Sequence, residues 1–249
     1  MLFRIRALDV TNRITQLQIE ASDEISARAQ VQADGLTVLS AARARTLSFS
    51  RQRFPVLLAN GNPVASRDLG DGRHEASWEN PHPTPAYLFA VAAGPLEKVS
   101  QRLQTAEGRE VEVNIWAEPG DVARCHYALG AVERALRWDE QRFGRCYDLD
   151  VFNVVAAQDF TMGAMENKGL NIFNARYILA DEATATDADF LAIESVVAHE
   201  YLHNWSGNRV TLRDWFQLSL KEGLTVFRDT EFSSDLHSRA LKRIEVVRL

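Results

Sequence analysis

Residues 187–205 read DADFLAIESVVAHEYLHNW, and the reading of this run decides the rest of the chain. Its apolar residues recur at helical spacing, Asp187 stands where an N-cap is expected, and Ser206-Gly207 marks the stop. Residues i and i+4 of an α-helix are separated by roughly 400° of turn, so His199 and His203 lie about 40° apart on one face. Two imidazoles so placed can take one zinc ion at about 2.0–2.1 Å each. Glu200, one step round, reaches the edge of that face and can hold a water without being a ligand.

A catalytic zinc needs three protein ligands and one open position. Glu222, in LSLKEGLTVF, can be the third if the next helix runs alongside the first. The eighteen residues between His203 and Glu222 leave room for a turn and a crossing segment. A blander reading pairs two partly exposed histidines with acids on a helix surface, and a bare HExxH motif does not exclude it. If the metal reading holds, zinc lowers the pKa of a water toward ~7 and Glu200 accepts its proton as general base during amide hydrolysis. Asp229, two turns beyond Glu222, is open to two readings: it orients a ligand histidine from behind, or it is a surface acid beside Arg228.

The chain of 249 residues is 46% hydrophobic and 25% charged, the balance of a globular protein with a sizeable core. A net charge of −6 argues against nucleic acid or an anionic membrane as partner. Cys125 and Cys146 are too few for a disulfide framework and read as buried thiols. MLFRIRALDV lacks the apolar run of a signal peptide, and no segment approaches the ~20 apolar residues of a membrane span, so the cytoplasm is the expected compartment.

Residues 1–44 alternate as FRIRAL and ITQLQIEA around DVTN, which predicts a hairpin. Ser22 is the expected cap of a helix closed by Gly35, and LTVLS returns as a strand, giving a small ββαβ unit. AARARTLSFSRQR reads as a junction. From residue 45 to 110 the texture is β-rich, with an NG turn between apolar runs in FPVLLANGNPVAS. Residues 111–249 begin with the alternating strand EVEVNIWAEP and a helix from Ala123 to Phe143. The strands DLDVFNVVAAQ and LNIFNARYIL come next, and the remainder is helical. Strands feeding a helical block make the expected class α+β.

GAMEN at 163–167, HEYLHNW at 199–205 and WFQLSLKEGLTVFRD at 215–229 together resemble the alanyl aminopeptidases (aminopeptidase N) of bacterial type, members of the gluzincin zinc metallopeptidases. The resemblance runs from about Phe54 to the end. It implies a thermolysin-like catalytic domain over 111–249, preceded by the remnant of a β-rich domain. It also implies one zinc ion on His199, His203 and Glu222, and peptide substrates with a free N-terminal amine. By the same resemblance Gly163, Ala164, Met165, Glu166 and Asn167 form a loop on a sheet edge, along which substrate lies as an added strand. Glu166 would hold the substrate's α-amino group, and Met162 would line the pocket for its first side chain. Without the resemblance, GAMEN reads as a glycine turn followed by a charged loop. Oligomeric state and preferred first residue are not legible here.

Two departures shape the expectation. The family's oxyanion tyrosine lies dozens of residues beyond the third ligand, whereas this sequence runs 27 residues past Glu222 (222 to 249). Tyr201 cannot replace it, because it points away from the zinc face. Loss of one such donor costs about 10²–10³ in rate, so a second reading is a truncated chain that binds zinc and turns over little or nothing. Residues 1–44, for their part, resemble the N-terminal module of type II secretion system F proteins, which implies a fusion or a misjoined reading frame.

Overall fold

The computed structural model describes residues 2–8, 14–43, 54–70 and 72–248. The expected turn at DVTN and most of the basic junction lie outside them. The chain divides into two units, Met1–Gln52 and Arg53–Leu249.

In the first unit β1 (Leu2–Leu8) pairs antiparallel with both β2 (Ile14–Glu20) and β3 (Thr37–Arg43), in the order β2-β1-β3. Alternation along β1 places Phe3, Ile5 and Ala7 on one face. There they bury against Ala27 and Val31 of α1 (Glu24–Ala33). The cap of α1 is Asp23, not Ser22: its carboxylate accepts the Ser26 N–H at 2.7 Å, while the Ser22 hydroxyl donates to Asp23. A carboxylate outcompetes a hydroxyl for a helix N-terminus because it is charged and acceptor-only.

The second unit opens with short strands. β4 (Val56–Ala59) and β5 (Asn62–Gly70) flank the Asn60-Gly61 corner but do not pair with each other. Instead β5 pairs with β6 (Arg73–Glu79), and β4 with β7 (Val91–Gly94). The corner is a tertiary anchor. Asn60 donates to the Leu88 and Lys168 carbonyls, both at 3.0 Å, and accepts the Ala90 N–H; the Gly61 N–H reaches the Lys168 carbonyl. Gly61 has φ 87°, and a Cβ there would stand 2.1 Å from the Glu79 carbonyl oxygen, so only glycine fits.

The main sheet contains β8 (Glu97–Gln104), β9 (Glu110–Ala117), β10 (Val151–Ala157), β11 (Ala164–Met165) and β12 (Leu170–Asn174) in the order β11-β12-β10-β9-β8. β9, β10 and β12 are parallel; the outer strands β8 and β11 run antiparallel to their neighbours. β8, from before residue 110, pairs with β9 over its whole length. The expected strand LNIFNARYIL stops at Asn174, whose side chain accepts the Arg176 N–H and turns residues 175–177 into a 3-10 turn. β10 is buried through Val151–Ala156, as a central parallel strand must be.

Against this sheet lie α2 (His126–Phe143) and α3 (Asp187–Leu202), followed by α4 (Leu218–Leu236) and α5 (Arg239–Arg248). Val111, Val113 and Ile115 of β9 meet Ala128, Val132, Ala135 and Leu136 of α2. Ile193, Val197 and Tyr201 of α3 and Phe232 of α4 extend the same core. The architecture is thus mixed, with strands leading into a helical block. Cys125 and Cys146 are free and buried, and no described helix is long and apolar enough to cross a membrane.

Candidate metal centre

Helix α3 starts at a capping box. The Thr186 hydroxyl accepts the Asp189 N–H, and the Asp189 carboxylate accepts the Thr186 N–H at 2.8 Å. Asp187, the expected cap, is therefore the first helical residue; the reciprocal pair satisfies two orphan backbone groups where Asp187 alone would satisfy one. At the far end the i, i+4 spacing sets the two imidazoles together, with Nε2 of His199 and Nε2 of His203 2.9 Å apart. The α-helix ends at Leu202, His203 is its C-cap, and Asn204–Arg209 continue as one wider turn in which the Asn208 N–H bonds the His203 carbonyl.

Glu222 arrives from α4. Its Oε2 lies 3.3 Å from both Nε2 atoms, and its Oε1 lies 2.8 Å from Nζ of Lys221. Behind the rings, His199 Nδ1 meets the Asp229 carboxylate at 2.6 Å and His203 Nδ1 meets the Ser206 carbonyl at 2.9 Å. Asp229 is only 9% exposed, which removes the surface-acid reading. Arg228 turns the other way, to the buried carboxylate of Asp139.

These contacts define what the cluster can hold. The Ser206 carbonyl and the Asp229 carboxylate only accept, so both Nδ1 atoms carry hydrogen. Each neutral ring then presents its Nε2 lone pair inward, beside a carboxylate oxygen. Three lone-pair donors converging within 3.3 Å repel one another unless a cation sits among them. With a proton as that cation, burial disfavours the charged ring, yet the Asp229 and Glu222 carboxylates outweigh it and lift His199 to about 10. The hydrogen bonds from His199 and His203 hold the Glu222 carboxyl well below the usual carboxylate range. Nitrogen and oxygen donors of this kind suit zinc.

Glu200 is 7% exposed, and burial, against the opposing charge of His199 and helped by the acids Glu166 and Glu222, pushes its carboxyl up to about 8 in the metal-free protein.

The GAMEN stretch is the edge of the main sheet. Ala164 pairs with Phe173 and Met165 with Ile172, the Gly163 carbonyl accepts the Asn174 N–H, and Met162 is 59% exposed just outside the strand. Long-range contacts fix the next two residues. The Asn208 side chain donates to the Glu166 carbonyl at 2.9 Å, and the Asn167 side chain to the Leu88 carbonyl at 3.1 Å. The Glu166 side chain is buried, and ligand atoms of Glu166, Glu200 and His203 lie within 4.8 Å of one another. The loop is thus brought to His203 and Glu200.

Lys221 carries no functional signal in the sequence, yet its buried ammonium contacts both Glu166 and Glu222. Charge-assisted bonds to both carboxylates, against the cost of burial, raise it above the ordinary lysine value. Gly207 reads in the sequence only as a helix stop. A Cβ there would lie 2.8 Å from Nδ1 of His203, so glycine is required for the ring to occupy its place.

Residues 127–248 match the Peptidase family M1 domain. The chain is 57% identical over 196 residues to aminopeptidase N of Caulobacter vibrioides and 54% identical over 202 residues to that of Haemophilus influenzae. These alignments cover 79% and 81% of this chain and 23% of each relative, so the chain spans about a quarter of their length. Among solved structures, Legionella pneumophila aminopeptidase A in complex with aspartic acid superposes with a TM-score of 0.74 at 40% identity, covering 77% of this chain and 22% of that one. Residues 127–248, and with them the helices that carry His199, His203 and Glu222, are thus similar to a Peptidase family M1 domain.

Proposed function

We propose that this chain is the metal-binding part of a zinc-dependent aminopeptidase with a thermolysin-like catalytic arrangement, acting on peptides with a free N-terminal amine. The observation that carries the reading is the placement of Glu166: a buried carboxylate beside Glu200 and His203, next to the edge strand of the sheet.

His199, His203 and Glu222 would hold one zinc ion. When bound, zinc supplies Lewis-acid polarisation of a carbonyl and of water. The protein's own groups do the rest. Asp229 and the Ser206 carbonyl keep the two imidazoles in the ligating tautomer. Glu200, buried beside His203 and Glu166, takes the proton of the attacking water and returns it to the leaving amine. Substrate aligns along β11 by main-chain hydrogen bonds, and Glu166 pairs with its α-ammonium. A carboxylate at a fixed distance from the reacting carbonyl measures off one residue, which makes the reaction exopeptidic. Met162, exposed next to the strand, lines the pocket for the first side chain.

Tyr201 is 1% exposed and packs on Tyr147 and Phe152, so it offers the site no oxyanion donor. Metal binding is therefore read out beside turnover. Zinc affinity by competition with a chromophoric chelator, and hydrolysis of an alanyl anilide, are compared for the native chain and Glu200→Gln. The variant is expected to keep its zinc and lose about 10²–10⁴-fold in rate. Full activity in Glu200→Gln would remove Glu200 as the base.

A further inference from the structure

We propose that Thr225 is the positioning residue for His203: its hydroxyl fixes the imidazole and the Ser206 carbonyl to which that imidazole donates. This rests on the zinc reading above.

The two ligand histidines are supported differently. His199 donates to a side-chain carboxylate on α4, Asp229. His203 donates to a main-chain carbonyl, that of Ser206, in a stretch where the backbone has left the helix: Ser206 has ψ 69° and Gly207 ψ −56° at φ 158°. No regular ladder fixes a carbonyl there, so something else must. Thr225, on α4 three residues after Glu222, is fully buried. Its Oγ1 lies 3.0 Å from the Ser206 carbonyl oxygen, 2.9 Å from the Ser206 hydroxyl and 3.2 Å from Nδ1 of His203. It also lies 3.0 Å from the Lys221 carbonyl one turn back. The His203 N–H is thus shared between carbonyl and hydroxyl, and one hydroxyl touches both ends of the bond that orients the ring.

The clamp has a backing. Arg228, one turn further along α4, donates to the Leu202 carbonyl at 2.9 Å and to the Ser206 hydroxyl at 3.0 Å, and pairs with buried Asp139. Threonine suits the post because its branched Cβ leaves few χ1 rotamers and the hydroxyl is held in one of them. Gly207 clears the ring, where any Cβ would strike Nδ1. The ring is held by the hydroxyl and has no space to give up on the Gly207 side.

The test is zinc affinity of the full 249-residue chain, by chelator competition, in Thr225→Val and Thr225→Ser. Valine keeps the shape and deletes the hydroxyl; serine keeps the hydroxyl. Valine is expected to weaken zinc binding by about 10-fold or more, the usual range for groups that orient a metal-ligating histidine. Serine should stay within roughly twofold of the native chain, and melting of the metal-free proteins should report comparable folding. Should valine disturb folding, Thr225→Ala against Thr225→Ser repeats the comparison with less volume. Native affinity in Thr225→Val, or serine as weak as valine or alanine, overturns the proposal. A native chain without saturable zinc binding, or His203→Ala binding as tightly as native, would instead sink the zinc reading itself.

Discussion

Glu222 and Glu166 both approach His203, but they come to it by different routes. Glu222 sits on the nineteen-residue helix α4, one turn before Thr225 and two before Asp229, so a single helix face delivers the proposed third ligand and side chains that contact both rings. Glu166 comes directly after a two-residue strand, and its backbone is fixed by Asn208, while its neighbours Asn167 and Lys168 are tied to residues 88 and 60. One half of the site is built from local periodicity and the other from contacts between segments far apart in sequence. A lysine from α4, Lys221, joins the halves by touching both glutamates.

That contrast can be broken from either side. On the sheet-edge side, Glu166→Gln is expected to raise KM for peptides with a free α-amine by about 10- to 10²-fold, from the roughly 1.5–3 kcal/mol that a hydrogen bond to a charged group contributes. Steady-state kinetics on amine-bearing and amine-blocked peptides check this, and an unchanged KM would detach Glu166 from amine recognition. On the helical side, Asp229→Ala should weaken zinc binding by about 10–100-fold. Chelator competition reads the loss; native affinity would mean that His199 is oriented by something other than its 2.6 Å contact to Asp229. The smallest effect is expected at the far end of α3. Thr186→Ala removes the capping box and should cost about 1 kcal/mol in thermal or urea unfolding, with zinc affinity unchanged. A loss of affinity there would show that the start of α3 is coupled to its histidine-bearing end.

Legibility in the sequence obeys the same division. His199, Glu200 and His203 are legible because helical turn geometry alone places them, and Glu222 and Asp229 because a seven-residue step returns to the same helix face. Asp229 has two readings in the sequence because adjacency suggests a pairing with Arg228. In the fold the two side chains point apart, one to His199 and one to Asp139. Glu166 is legible only through the family resemblance, since nothing local brings a residue after a glycine turn to His203 and Glu200. Asn60-Gly61 looks like a hairpin turn, and no pattern rule distinguishes that from a corner stapled to residues 88 and 168. Lys221 and Thr225 carry no signal: a lysine and a threonine on a helix are read as solvent-facing, yet Lys221 is 8% exposed and Thr225 is wholly buried. The caps at Asp23 and Thr186 each fall one residue from expectation, because two adjacent residues in each place could have served.

The sheet has a practical corollary for anyone trimming this chain. The family match starts at residue 127, but β10 needs β9 along one side, β9 needs β8, and the loop bearing Glu166 is tied to the corner at residue 60. A fragment cut to the matched residues would leave an apolar parallel strand bare along one flank, an invitation to intermolecular pairing. Shortened versions should therefore start before Val56, and those begun later are expected to precipitate rather than to report on the chemistry.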